Sequence, residues 1–201
     1  MLGWSALILA GGAGRRFDAN GNGGKLLADL GGAPVIRRVT DRIAGAGFAE
    51  VLAVTGAAGA QVRAALEGAG CRIVDAPNWA EGMAATLRAG IAGLDPQARG
   101  VCVFLGDMPL VPVSLCGPLT RAADKAGYAA RPLFEGKPGH PVAFTRAAFA
   151  DLMELKGDAG ATALLKARPE RIAYCETADR GVLLDIDTPE DLIVAARAWK
   201  A

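Results

Sequence analysis

LILAGGAGRRFDANGNGGKLL, running from Leu7 to Leu27, is the stretch on which the reading of the chain turns. A short apolar run enters a loop with six glycines, two adjacent arginines and a lysine, then becomes apolar again. Glycines let backbone N–H groups approach an anion closely, and successive N–H groups form an anion-binding concavity. Two familiar phosphate motifs nevertheless fail. Gly12-Ala13-Gly14-Arg15-Arg16 is followed by Phe17, so the third glycine of a dinucleotide fingerprint is missing. Gly24-Lys25 is followed by Leu26, with no hydroxyl for magnesium, and Ala19 stands where a P-loop has its first glycine. What remains is a glycine loop with Arg15, Arg16 and Lys25, which suits a triphosphate; a flexible solvated loop is the competing reading.

Outward from this loop, short apolar runs alternate with alanine-rich helical stretches. Ala6–Leu9 reads as a first strand, Val51–Thr55 as a second, Cys71–Val74 as a third and Val101–Leu105 as a fully apolar central strand. Tyr128–Arg131, Val142–Phe144, Ile172–Cys175 and Val182–Leu184 read as later strands. Val35, Ile36, Val39 and Ile43 share one helical face, and Gly45 and Gly47 stop that helix. Met83–Leu94 reads as helical. Thr188-Pro189-Glu190-Asp191 opens a last helix, with Thr188 as cap, Pro189 in the first turn and two acids at the positive end of the dipole. The alternation predicts an α/β fold: one domain over residues 1–201, a doubly wound, mainly parallel sheet with helices on both faces. Ligands of such sheets bind beyond the carboxyl ends of the strands, so the loops after Leu9, Leu105 and Leu184 are where chemistry is expected.

The bulk properties exclude several classes. With 201 residues, 52% hydrophobic and 21% charged, the chain can bury a core and is not expected to be disordered. A net charge of +1 argues against a nucleic-acid partner held by a basic surface. Cys71, Cys102, Cys116 and Cys175 form no CxxC pair, and one histidine in the whole chain argues against a Cys/His zinc site. The N-terminal MLGWSALILAGG lacks a basic n-region and reads as a buried strand rather than a signal peptide. No run reaches membrane-span length, so no membrane partner is expected and a cytoplasmic protein is.

Four further stretches carry candidate chemistry. In Val101–Pro109, Asp107 follows a central strand, where a carboxylate can hold magnesium or cap a turn. Asp185 and Asp187 lie two apart after an apolar run, so on a strand both would face one cation; alternatively Asp187 only supports the helix start. His140 lies in the stiff segment Gly136-Lys137-Pro138-Gly139-His140-Pro141, with a local structural role as its competing reading. Pro77–Met83 is a turn leading into a helix, able to take a ribose or base or simply to cap, and Asp158 in Leu155–Gly160 has a functional reading beside that of a cap.

Together LAGGAGRRF with Lys25, LGDMP, GHPVAF, GDAGATALL and DIDTPEDL resemble, in order, the MobA-like nucleotidyltransferases, over about Ala6 to Leu192. NWAEGMAATLRAG, and GHP followed by GDAG, resemble in particular the molybdenum cofactor cytidylyltransferases. The resemblance implies a Rossmann-like three-layer sandwich of the nucleotide-diphospho-sugar transferase type, with a late antiparallel strand. It implies transfer of a nucleoside monophosphate from CTP to the phosphate of a molybdenum-molybdopterin acceptor, with Mg²⁺ as cofactor and pyrophosphate released. A molybdoenzyme client or its chaperone is the further partner implied. By the same resemblance Leu9, Ala10, Gly11, Gly12, Gly14, Arg15 and Lys25 match the triphosphate loop, with Lys25, Arg15 and Asp107 as the catalytic set. Glu81, Gly82 and Thr86 match the region near base and ribose; His140 and Asp158 match the acceptor side; Asp107, Asp185 and Asp187 match the metal positions. Leu9-Ala10-Gly11-Gly12 is LAGG, the guanylyltransferase form, where cytidylyltransferases usually read LAAG, so GTP stands as the alternative to CTP. Asp18–Gly23 also lengthens the loop before Lys25. A same-fold transferase with another phosphorylated acceptor is a further alternative. More distant are a nucleotide-dependent oxidoreductase, against which the missing third glycine speaks, and a non-catalytic cofactor-delivery protein, against which Lys25 and Asp107 speak.

Overall fold

A computed structural model of the chain describes residues 1–12, 14, 16–17 and 24–200. Its elements in order are β1 (Trp4–Ala10), α1 (Gly24–Leu27), α2 (Val35–Ala44), β2 (Glu50–Thr55), α3 (Gly59–Ala65), β3 (Arg72–Asp75), α4 (Met83–Gly93), β4 (Gly100–Leu105), α5 (Cys116–Ala126), β5 (Ala129–Phe134), β6 (Lys137–Pro138), β7 (Val142–Thr145), α6 (Phe149–Met153), α7 (Gly160–Ala167), β8 (Ile172–Glu176) and α8 (Pro189–Lys200).

The strands form one sheet in the order β3-β2-β1-β4-β7-β5-β6, with β8 also paired to β5. β3, β2, β1 and β4 run parallel; β7 is antiparallel to both β4 and β5, and β8 is parallel to β5. The expected mainly parallel sheet with a late antiparallel strand is therefore present. Alternation along the strands makes two cores. Ala6, Ile8, Cys102 and Phe104 face one side with Val35, Ile36, Val39 and Ile43 of α2 and Leu119 of α5. Leu7, Val101, Val103, Val142 and Phe144 face the other with Leu87 and Ile91 of α4, Leu152 of α6 and Leu165 of α7. Because β1 and β4 are buried on both faces, they read as continuous apolar runs rather than as alternating ones.

One expected strand is absent. Val182–Leu184 is not a strand: Arg180–Leu183 forms a 3₁₀ turn, in which Asp179 Oδ1 accepts from the Gly181 N–H at 2.8 Å. A Cβ at position 181 would overlap the Leu110 carbonyl, so the turn lies pressed against the chain that leaves β4. Asp185 and Asp187 consequently stand on an irregular connection, and strand alternation does not place them on one side. The last helix begins as its sequence predicts. Thr188 Oγ1 accepts from the Asp191 N–H at 3.2 Å, and the Asp191 carboxylate accepts from the Thr188 N–H at 2.8 Å.

Candidate active site

Three segments meet at the carboxyl end of the parallel strands. The Gly106 N–H donates to the Leu9 carbonyl at 3.0 Å, setting the β4 loop beside the glycine loop. The Ile186 N–H donates to the Asp107 carbonyl at 3.0 Å, bringing in the connection before α8. A Cβ at Gly106 would come within 2.8 Å of Ile36 Cδ1 and 3.0 Å of the Leu9 carbonyl, so glycine is what lets Asp107 follow so closely. Lys25 stands on α1, anchored by its buried neighbour Leu26.

The side chains converge more tightly still. Lys25 Nζ lies 2.6 Å from Asp107 Oδ2 and 2.8 Å from Asp187 Oδ1. Arg16 Nη1 lies 2.8 Å from Asp187 Oδ2. Lys25, Asp107 and Asp187 are 14%, 16% and 21% exposed, so water screens this cluster little, whereas Arg16 is 77% exposed. Burial works against the charge on Lys25, but the Asp107 carboxylate, aided by Asp187, outweighs it and holds the ammonium above its ordinary pKa. Lys25 is therefore a permanent cation at neutral pH.

The cluster forms one wall of a cleft of about 450 Å³, which is within the range of small-molecule sites. Of the residues singled out from sequence, Leu9, Ala10, Gly11, Gly12, Gly14, Lys25, Gly82, Thr86, Asp107, Asp158 and Asp187 line it. Arg15 lies outside the described residues, as does the insertion Asp18–Gly23. Glu81 does not line the cleft and pairs with Arg88 at 3.2 Å. Asp185 does not line the cleft and its surface is largely exposed; the partial desolvation its carboxyl does undergo, and after it the nearby Asp187 and Asp107 charges, raise its pKa.

Asp158 and His140, paired by sequence as acceptor-side residues, are placed apart. Gly82 has φ 109° and lies so close to the segment 157–158 that a Cβ would sit 2.5 Å from Asp158 Oδ1. Asp158 therefore stands at the start of α4, beside Trp79 and Met83 in the cleft. His140 lies outside the cleft lining, its N–H donating to the Val182 carbonyl at 2.9 Å. Its Nδ1 is enclosed without a partner. Burial, reinforced by the Arg131 charge, pushes its pKa down to about 4.

Sequence reasoning missed two groups here. Trp79 contributes an aromatic wall to the cleft; its only sequence signal was its place in the turn before α4. Arg131 is 7% exposed and donates to the Gly139 and Pro138 carbonyls at 3.1–3.2 Å, fixing the segment that carries His140. A lone arginine in a strand gives no such signal.

The donor set fits a divalent cation. Asp107 Oδ1 is enclosed with no hydrogen-bond partner, a carboxylate oxygen left with an unused acceptor site. No group of three or more His, Cys, Asp or Glu side chains converges among the described residues. A cation held by Asp107 and Asp187 would then complete its oxygen shell with water and substrate phosphates, the usual pattern for magnesium.

An α/β sheet with a glycine loop after its first strand, a carboxylate after its central strand and another before its last helix defines a nucleotidyltransferase-like protein. The chain belongs to the MobA-like NTP transferase domain family, which its residues 6–172 match. It is 29% identical over 197 residues to nicotine blue oxidoreductase of Paenarthrobacter nicotinovorans, covering 94% of each chain. Among solved structures it resembles an Rv0371c homologue from Mycobacterium sp. strain JC1 (26% identity, TM-score 0.85, 98% of this chain and 97% of that one). It also resembles Rv0371c of Mycobacterium tuberculosis H37Rv in complex with manganese (25% identity, TM-score 0.78, 97% and 98%).

Proposed function

We propose that the protein transfers a nucleoside monophosphate from a nucleoside triphosphate, CTP ahead of GTP, to the phosphate of a molybdenum-molybdopterin acceptor in the cytoplasm. The observation that carries the transferase reading is the contact of Lys25 with both Asp107 and Asp187 on the wall of a cleft floored by the glycine loop. In the reaction an acceptor phosphate oxygen bonds to the α-phosphorus, the bond from that phosphorus to the bridging oxygen breaks, and pyrophosphate leaves. A phosphate monoester with a second pKa of about 6 is already ionised at neutral pH, so no strong base is needed. That suits a site whose lining includes no histidine among the described residues. The work left to the chain is positioning and charge. Lys25 and Arg16 supply positive charge for the triphosphate, and the glycine loop offers N–H groups. Trp79 and Thr86 shape the wall for base and ribose. A divalent cation held by Asp107 and Asp187 would neutralise phosphate charge; the manganese complex of the Rv0371c relative supports a divalent ion, and we assign Mg²⁺.

The preference for CTP survives the LAGG sequence on a steric argument. A Cβ at Gly11 would overlap the Thr86 side chain, so the glycine is required by its neighbour whatever the base. Turnover with CTP and GTP against molybdenum-molybdopterin, with and without Mg²⁺, tests the proposal. Pyrophosphate release with neither nucleotide would overturn it, and faster release with GTP would reverse the base assignment.

The oxidoreductase relative favours a second reading, in which the cleft holds a redox nucleotide. A flavin or nicotinamide absorbance copurifying with the protein, or NAD(P)H oxidation by a quinonoid dye in its presence, would support that reading over transfer.

A further inference from the structure

Lys25 occupies the place from which it would have to withdraw if a metal were bound. Its ammonium makes contacts of 2.6 and 2.8 Å with one oxygen of each acidic residue, Asp107 and Asp187, that would hold the cation. A magnesium ion needs carboxylate oxygens at about 2.1 Å and cannot share that gap with an ammonium. The two cations would also repel strongly in a cluster so little exposed. Nothing else among the described residues neutralises Asp107, since Arg16 reaches only Asp187. The same lysine faces the cleft in which the triphosphate is expected.

We infer that Lys25 is an internal substitute for the divalent cation. It closes the Asp107–Asp187 pair while the cleft is empty, and exchanges to the triphosphate when the metal takes its place. The inference rests on the metal reading above and adds a direction to it. The free protein binds the metal poorly, because the ammonium must first be expelled. Nucleotide phosphates make the exchange favourable by giving that ammonium a new partner, so metal and nucleotide enter together. The unused Asp107 Oδ1 is the second oxygen that this carboxylate offers the metal once the ammonium has left.

The test is Mn²⁺ binding to the nucleotide-free protein, read from the electron paramagnetic resonance signal of free Mn²⁺, for wild type, Lys25→Met and Asp107→Asn. Removing the competing ammonium is expected to tighten Mn²⁺ binding by about tenfold or more. Asp107→Asn is expected to weaken it below wild type. If Lys25→Met binds no tighter than wild type while Asp107→Asn loses binding, the exchange is overturned and the metal reading stands. If Asp107→Asn binds as wild type does, the metal reading falls and the exchange with it. Should Lys25→Met fail to fold, as judged by circular dichroism, the wild type decides the matter through amine labelling of Lys25, with exposed Lys137 as internal reference. Labelling that rises as Mn²⁺ fills the site supports the exchange; labelling that stays unchanged while the free-Mn²⁺ signal shows the site filled overturns it.

Discussion

Gly11 and Thr86, both lining the cleft, pack so closely that a Cβ on Gly11 would overlap the threonine side chain. Thr86 is 4% exposed and held on α4, so it has little room to yield. Gly11→Ala should therefore push the glycine loop and α4 apart, at an overpacking cost of about 1–3 kcal/mol. Nucleotide KM should rise more than kcat falls. The double variant Gly11→Ala, Thr86→Ala should recover part of the loss, because the two positions share one contact. Steady-state kinetics on the single and double variants check this. An unchanged KM in Gly11→Ala would remove the contact from the nucleotide site.

Asp107 and Asp185 should part company in function. Asp107 is mostly buried, salt-bridged to Lys25 and has one oxygen unused; Asp185 is exposed and outside the cleft lining. Asp107→Asn should lower turnover by about a hundredfold or more, the scale of losing one preorganised electrostatic group. Asp185→Asn should retain most of the wild-type rate. Parallel turnover assays over a range of Mg²⁺ concentrations decide this, and equal losses in the two variants would return Asp185 to the metal set.

Those two carboxylates also show how far the site was legible in sequence. β1, β4 and the loops after them could be read because strands buried on both faces leave unbroken apolar runs. Asp107 could be found because it follows such a run. The expectation that Asp185 and Asp187 share a face assumed a strand at Val182–Leu184. The apolar run there was real, since Val182 is buried, but Gly181 packed on the Leu110 carbonyl and the Asp179 turn bend the chain into 3₁₀ geometry. That is a tertiary contact with no periodic signature. The same holds for Asp158: only the close approach of segment 157–158 to Gly82 brings it into the cleft. Trp79 was marked only by its place in the turn before α4, and Arg131 gave no signal because its hydrogen bonds to the Gly139 and Pro138 carbonyls exist only in the fold.

Thr188 links local structure to the site. Its hydroxyl caps α8, and Asp191, which it orders, also accepts from the Asp187 N–H at 3.1 Å. Thr188→Ala should cost about 1 kcal/mol, the typical value of an N-cap, and lower Tm by roughly 2–4 °C in a chain of this size. It should also loosen Asp187 and so reduce turnover, whereas Thr188→Ser should restore both. Thermal melts and turnover for the pair of variants test this. A fall in Tm with unchanged turnover would confine Thr188 to helix stability.

His140 should make the protein acid-sensitive. Its ordinary pKa of 6.5 falls to about 4 in the folded chain, chiefly through burial and then through the Arg131 charge. Between those values the unfolded chain binds a proton that the folded chain refuses, so stability drops as pH falls through that window. The loss by the bottom of the window is on the order of 3 kcal/mol. Above pH 6.5 both states hold the neutral ring, and this group contributes no slope. His140→Gln removes the titration, so its urea-unfolding free energy should decline less than that of wild type between neutral pH and pH 4.5. Arg131→Met should also shrink the wild-type decline, because the charge that helps keep the ring neutral is gone. Equal pH slopes in wild type and His140→Gln would show that the ring takes up its proton in the folded protein as readily as in the unfolded chain.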